Sequence, residues 1–195
     1  VHIGGHISFE IEKISKICKE NNIILIEDCA HSAGASFDGK RPGYWGDAGI
    51  YSLYATKTIS TGEGGVLVSK NKDLIEFSKS FQNYGKPNND IIGKNFRISE
   101  FNAALGCIQI DRLNDMVEWK NERVSHEITK YSNYLKLPNG MVSGYYKFIV
   151  FDEINYSTGK VYNIGCHKIF KENINLVNTD WINKNHWCVP IYYKG

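Results

Sequence analysis

The chain has 195 residues, 42% of them hydrophobic and 23% charged, with a formal net charge of +2. That composition is ordinary for a globular protein with a buried core, and the length predicts one domain or one and a half. So small a net charge gives no footprint for nucleic acid or an anionic membrane surface. No window approaches the ~18 continuous apolar residues of a membrane-spanning helix. The five cysteines, Cys18, Cys29, Cys107, Cys166 and Cys188, contain no closely spaced pair. An odd, scattered set reads as reduced thiols of a cytoplasmic protein. Cys166-His167 and His186-Trp187-Cys188 match no finger spacing, so no metal is expected.

Taken in order, Val1-His2-Ile3 reads as the tail of a strand, broken by Gly4-Gly5. His2 and His6 are spaced for one helix face, but the glycines between them predict a loop. Ser8 is placed to cap a helix that turns Phe9, Ile11, Ile14, Ile17 and Cys18 inward and ends at Asn21-Asn22. Ile23 to Ile26 is a short apolar run bounded by polar pairs, the pattern of a buried parallel strand reached by a right-handed crossover. Asp28 then falls at its carboxyl end, where open α/β sheets place ligands. If the backbone stays extended, Ala30 faces the same side as Asp28.

A glycine-rich loop runs from Ser32 to Asp47, followed by a strand from Ala48 to Leu53. Thr61 to Gly65 is a tight turn and Val66-Leu67-Val68 a returning strand, which clamps Lys57 between strand and hairpin. Asp73 opens a helix carrying Leu74, Phe77, Ser78 and Phe81, and Asn83 to Asp90 is a polar loop. Ser99 caps the next helix, whose Phe101, Ala104, Leu105, Ile108 and Leu113 read as core or dimer interface. The stretch from Asp115 to Tyr134 is helical, with Lys120, Glu122, Arg123, Glu127 and Lys130 on a solvated face. A boundary near Trp119 divides the chain into 1–118 and 119–195. In the second part, Pro138-Asn139-Gly140 is a turn and Tyr145 to Phe151 a strand of a smaller α/β unit. No glycine-rich phosphate loop of the dinucleotide or Walker type is present.

The chemistry in this order of elements is a carboxylate, Asp28, and an amine, Lys57, at the ends of neighbouring strands. An amine of this kind is a Schiff-base nucleophile, and pyridoxal phosphate (PLP) is held by such a lysine with an acid on its ring nitrogen. Taken singly, Asp28 reads as well as a turn cap and Lys57 as a solvated loop lysine.

The motifs Glu27-Asp28-Cys29-Ala30-His31, Gly46-Asp47, and Ser52 through Lys57 to Gly62-Glu63-Gly64-Gly65 resemble the DegT/DnrJ/EryC1/StrS sugar aminotransferases. The likeness extends from Val1-His2-Ile3-Gly4-Gly5-His6 to Gly93-Lys94-Asn95-Phe96-Arg97 and thins beyond Glu100, with Tyr84 and Lys86 as departures. The resemblance implies an α/β protein of PLP fold type I, with a mostly parallel sheet in a large domain and a smaller C-terminal α/β domain. It implies PLP as cofactor and transamination of a keto group on a nucleotide-linked sugar, with glutamate as amino donor. Lys57 would carry the cofactor and act as the proton-moving base. Asp28 would hold the ring nitrogen, Ala30 cover a ring face, and His31 sit near the ring hydroxyl. Ser52 and Asn95 of the partner subunit would bind the phosphate, so a homodimer with shared sites follows. By the same comparison the chain reads as partial, lacking a front portion and a final helix. The alternatives are a dehydratase of the same family, which Lys57 opposes because those carry histidine there, a different chemistry on another acyclic or cyclic ketone, or a non-enzymatic role as a cofactor-binding regulator or a decayed fragment.

Overall fold

The computed structural model describes residues 1–193. The first helix, α1 (Ile11–Glu20), has no side-chain cap. Ser8 closes its first turn through its carbonyl, which accepts from Ile11 N at 3.1 Å, and not through its hydroxyl. Ile11 and Ser15 are the buried positions of α1, whereas Phe9, Ile14 and Ile17, expected to face inward, are exposed. The apolar stripe is wider than the contact available to it. Ser15 Oγ donates to Trp45 O at 2.7 Å and so ties the helix to the loop after the next strand.

That strand, β1 (Ile26–Asp28), starts where the apolar run was expected to end. Pairing decides its position. β1 lies parallel to β3 (Ala48–Ser52), with Ile26 opposite Ala48 and Asp28 opposite Ile50. β3 is also paired with β4 (Gly65–Val68), but antiparallel, Ser52 opposite Gly65. The three-stranded sheet, in the order β1-β3-β4, is therefore mixed and not mostly parallel as expected. The chain doubles back through the Lys57 segment instead of crossing over, which forces the second pair to run antiparallel. One face of this sheet presents Ile26, Ile50 and Leu67 to the exterior.

Two smaller sheets complete the strands. β2 (Ser36–Phe37) pairs antiparallel with β5 (Met141–Val142), and β6 (Phe148–Val150) with β7 (Trp187–Val189). Five helices follow β4: α2 (Lys72–Phe81), α3 (Glu100–Asp111), α4 (Leu113–Glu127), α5 (Cys166–Ile169) and α6 (Val177–Lys184). Ser99 caps α3 as expected, accepting from Asn102 N at 3.2 Å. Phe101, Leu105 and Ile108 of α3 are exposed, so they are not core within this chain. α4 runs between two buried clusters, giving Met116 to one with Ala33, Leu53 and Ile59 and Val124 to another with Phe148, Val150 and Val189. Lys120 and Glu127, expected on a solvated face of this helix, are buried. The turn at Pro138 is present, its carbonyl accepting from Met141 N at 3.2 Å.

Glu27 is the buried hinge of these contacts, 2% exposed. Its Oε2 accepts from His2 Nε2 and from Gly43 N, both at 2.8 Å, and its Oε1 from Gly46 N at 2.5 Å. His2 Nδ1 accepts from Ser8 N at 3.0 Å, which leaves Nε2 as the protonated nitrogen. His2, Glu27 and Cys29 lie close enough to suggest a metal site. Their chemistry does not fit one. Both imidazole nitrogens are engaged, and burial, with the Glu27 charge, pushes the Cys29 thiol up to about 12. His186 is likewise occupied, Nδ1 donating to Ile182 O and Nε2 accepting from Val161 N.

Burial raises the Glu27 carboxyl, but hydrogen bonds from His2, Gly43 and Gly46 outweigh it and leave the pKa below the ordinary 4.5. A depressed folded-state pKa contributes stability that is complete above that ordinary value and is lost as pH falls through the lower one. Glu27→Gln should cost about 1–3 kcal/mol at neutral pH, since the amide cannot accept from all three donors. Urea unfolding across the acid range checks this: the variant should lose stability at neutral pH and show a flatter acid limb. A variant with unchanged stability would remove Glu27 from this role.

Candidate active site

Strand alternation in β1 turns Glu27 inward and Asp28 outward, so the two adjacent carboxylates serve opposite faces. Asp28 Oδ1 accepts from Ala30 N at 3.0 Å. That bond is a local turn contact of the kind a capping aspartate makes, and it engages one of the two oxygens. Pairing ends at Asp28, and the chain turns at Ala30 and His31, so strand alternation does not extend to Ala30. Ser32 closes the turn, its N and Oγ both donating to Cys29 O.

His31 packs its ring against Tyr146, centroids 4.3 Å apart, and against Tyr162 at 5.9 Å. Gly4 N donates to its Nδ1 at 3.5 Å. Burial first, then the nearby Lys57 charge, brings the His31 pKa down to about 4, against an opposing pull from Asp28. Burial thus favours the neutral imidazole, and the long contact from Gly4 N favours the tautomer with its proton on Nε2. Lys57 and Asp28 both lie within electrostatic reach of it.

Lys57 follows β3 in a segment held at both ends. Leu53 N donates to Gly64 O at 2.9 Å, Thr61 N to Leu53 O at 3.0 Å, and Lys57 N to Tyr54 O at 2.9 Å. Its Nζ lies 5.1 Å from the Tyr146 ring centroid. The Tyr146 hydroxyl in turn lies 3.2 Å from Thr56 Oγ1. Lys57 lines a cavity of about 690 Å³ together with Tyr146, Arg112, Lys120 and Lys147.

The structure thus brings His31 and Lys57 against Tyr146, with Asp28 acting electrostatically on the same His31. Ser52, at the end of β3, accepts from Tyr54 N at 3.3 Å and lines a different cavity of about 320 Å³, which shares no lining residue with the Lys57 cavity. Asn95 is on a separate segment, bridged to Asn83, its Oδ1 accepting from Arg97 Nε at 3.1 Å. Tyr146 and Lys120 have no sequence signal. One reads as an ordinary strand aromatic, the other as one of several helix lysines.

The residue types present suit PLP in kind. A carboxylate suits a protonated ring nitrogen, a neutral imidazole N–H a ring hydroxyl, a serine hydroxyl a phosphate oxygen, and an amine an aldehyde carbon. At Gly62, in the turn that closes the Lys57 segment, a Cβ would meet nothing within 4 Å, so space is open there.

A mixed α/β chain with a carboxylate at one strand end and a lysine after the neighbouring strand has the fold of the type I PLP-dependent sugar aminotransferases, here over a fragment. S. venezuelae DesV superposes with a TM-score of 0.88 over 97% of this chain and 58% of that one, at 19% identity. H. pylori PseC, described as an aminotransferase of pseudoaminic acid biosynthesis, gives 0.76 over 94% of this chain and 58% of that one, at 22% identity. The DegT/DnrJ/EryC1/StrS aminotransferase family matches residues 1–137, and the chain belongs to that family. A GDP-perosamine synthase of Escherichia coli O157:H7 is 35% identical over 127 residues, covering 63% of this chain and 35% of that protein. A UDP-4-amino-4,6-dideoxy-N-acetyl-beta-L-altrosamine transaminase of Campylobacter jejuni is 37% identical over 132 residues, 64% of this chain and 35% of that protein. The chain spans about a third of the length of these curated relatives.

Tyr146 covers His31, so Tyr146→Ala should let water reach the imidazole and raise its pKa from about 4 towards 6.5. Titration of the imidazole C–H signals by NMR reads this directly, and an unmoved value would show that other groups desolvate the ring.

Proposed function

We propose that this chain carries the cofactor-holding part of a PLP-dependent aminotransferase that moves an amino group from glutamate to a keto carbon of a nucleotide-linked sugar. The observation that carries this reading is Tyr146 packed against both Lys57 and His31, with Asp28 and Lys57 both acting electrostatically on that His31. Family membership and the relatives' nucleotide-sugar names support it.

In this reading Lys57 holds the aldehyde carbon of the cofactor, and Asp28 keeps the ring nitrogen protonated with its outward carboxylate. His31 donates from Nε2 to the ring hydroxyl, and Ala30 covers part of one ring face. Ser52 of the same chain and, from the partner subunit, Asn95 bind the phosphate. Bound PLP supplies an electron sink for the negative charge left when a substrate carbon loses its proton. Once displaced by the incoming amine of the donor, the freed Lys57 Nζ would serve as the base that takes and returns that proton. Tyr146 steadies the amine by its ring face, and its hydroxyl contact with Thr56 fixes the ring in turn.

The exposed position of Asn95 and the outward Phe101, Leu105 and Ile108 of α3 favour a homodimer in which each site is completed by the other copy. The division into 1–118 and 119–195 falls within α4, between its two buried clusters. Among the described residues no helix is long and apolar enough to cross a membrane. The five cysteines are all unpaired, the state kept by a reducing cytoplasm, where we place the reaction.

In the complete protein, Lys57→Ala should abolish the visible absorbance of bound cofactor and lower turnover by at least ~10²-fold. Asp28→Asn should retain the cofactor yet slow the half-reaction with glutamate by ~10²–10³-fold, because an amide stabilises the charged ring nitrogen poorly. Stopped-flow absorbance separates the two. Full activity in the Lys57 variant would refute the assignment of the nucleophile, and an unchanged rate in the Asp28 variant would return that residue to a turn cap.

A further inference from the structure

A second cavity, of about 320 Å³, shares no lining residue with the cavity that Lys57 lines. Ile7, Phe9, Leu135, Ile149 and Phe151 give it an apolar wall, and no aspartate, glutamate, lysine or arginine lines it. His6 is the exception in that wall. It is 5% exposed, and neither Nδ1 nor Nε2 has a hydrogen-bond partner among the described residues. Its ring is seated edge-on against Tyr145, centroids 5.8 Å apart. The Nε2 edge lies beside Ile149: a Cβ on Gly4 would stand 3.4 Å from His6 Nε2 and 3.0 Å from Ile149 Cδ1. Buried polar groups are ordinarily paired, so an unpaired imidazole gains whenever a ligand offers it a hydrogen bond. The other histidine that lines the cavity, His186, is engaged at both nitrogens by Ile182 O and Val161 N.

We propose that this cavity is a binding site for a small neutral ligand with an aromatic ring and a hydroxyl, of the phenol type, whose hydroxyl bonds to the His6 imidazole. The site lies outside the aminotransferase reading and does not depend on it. Each part of the ligand follows from the wall. Burial brings the His6 pKa down to about 4, so the ring offers one donor, one acceptor and no charge. A hydroxyl both donates and accepts, and so matches it. A carboxylate or an ammonium would enter without a counter-charge, which is costly away from water. A metal ion would find one free imidazole and no acid. Phe9, Phe151 and Tyr162 offer aromatic surface to a ring. The volume falls at the lower end of the ~300–1,000 Å³ of small-molecule sites and suits one ring. Tyr162 also stacks on His31, centroids 5.9 Å apart, so a ligand here sits one ring away from the candidate active site.

The test uses the complete protein, with 4-methylphenol as probe, toluene as the apolar comparator and benzoate as the charged one. Calorimetry reads affinity, and NMR cross-relaxation reads position. 4-Methylphenol should bind at least ~5-fold more tightly than toluene, as expected when one buried hydrogen bond is gained, and benzoate should not compete with it. His6→Phe keeps a ring against Tyr145 and removes the imidazole, so it should abolish the preference for 4-methylphenol over toluene. Cross-relaxation should connect the probe's ring protons to the Ile149 methyl groups and the His6 imidazole, a reading that requires no variant. Absence of 4-methylphenol binding at millimolar concentration, equal affinity for toluene in the unmodified protein, or displacement by benzoate overturns the proposal. So does a preference that survives His6→Phe, or a bound probe in contact with neither His6 nor Ile149.

Discussion

The buried carboxylate of Glu27 is the constraint on which the rest of the site depends. Moving a carboxylate out of water costs several kcal/mol unless hydrogen bonds replace its solvent. Here the replacements come from distant parts of the chain: the His2 imidazole from the N-terminal segment and the Gly43 and Gly46 amides from the loop that crosses the sheet edge. One side chain thereby fixes where β1 ends relative to both. Because side chains alternate, fixing Glu27 inward also fixes Asp28 outward, at the strand end and opposite Ile50. The site carboxylate owes its direction to its buried neighbour.

A second constraint brings the far part of the chain to this strand end. Gly5, at φ +100°, lies so close to the backbone of Tyr145 and Tyr146 that a Cβ would collide with both. Gly144 N donates to Gly5 O at 2.9 Å and Lys147 N to Gly4 O at 2.8 Å, while Lys120 holds the Tyr145 carbonyl. Tyr145 itself adopts φ +38°, a conformation that non-glycine residues rarely take. These bonds set Tyr146 against His31 and Lys57. They also account for the lowered His31 pKa, since the same ring that lies beside the lysine removes water from the histidine.

The exposed apolar residues fall in two places with different consequences. Ile26, Ile50 and Leu67 lie on the open face of the β1-β3-β4 sheet, and strands in parallel pairing are ordinarily covered on both faces. Phe101, Leu105 and Ile108 lie on α3, a helix whose Gly106 sits close to Thr61, after the lysine segment. Apolar area of this kind is stabilised by a covering surface. On α3 those residues follow directly on the segment carrying Asn95.

Much of the local structure was legible from residue order. The Ser99 cap, the turn at Pro138, the strands around Lys57 and the spacing of Asp28, His31, Ser52 and Lys57 all depend on residues within a few positions of one another. Periodicity, glycine placement and capping chemistry report such short-range preferences directly. Other features were decided by tertiary structure alone. β1 moved towards its carboxyl end because its register is set by β3, and the sheet became mixed because β4 returns antiparallel. Lys120 belongs to a pattern that reads as solvated, yet α4 packs it beneath Tyr145. Tyr146 acquires its place through Gly4 and Gly5, and Ser143 Oγ donates to Gly5 O across 138 positions of sequence. The sequence by itself determined the spacing of the groups proposed for the chemistry and the short elements that carry them. Which of those groups meet, which are stripped of water and which charge lacks a partner depended on contacts between distant segments, and no local preference encodes those.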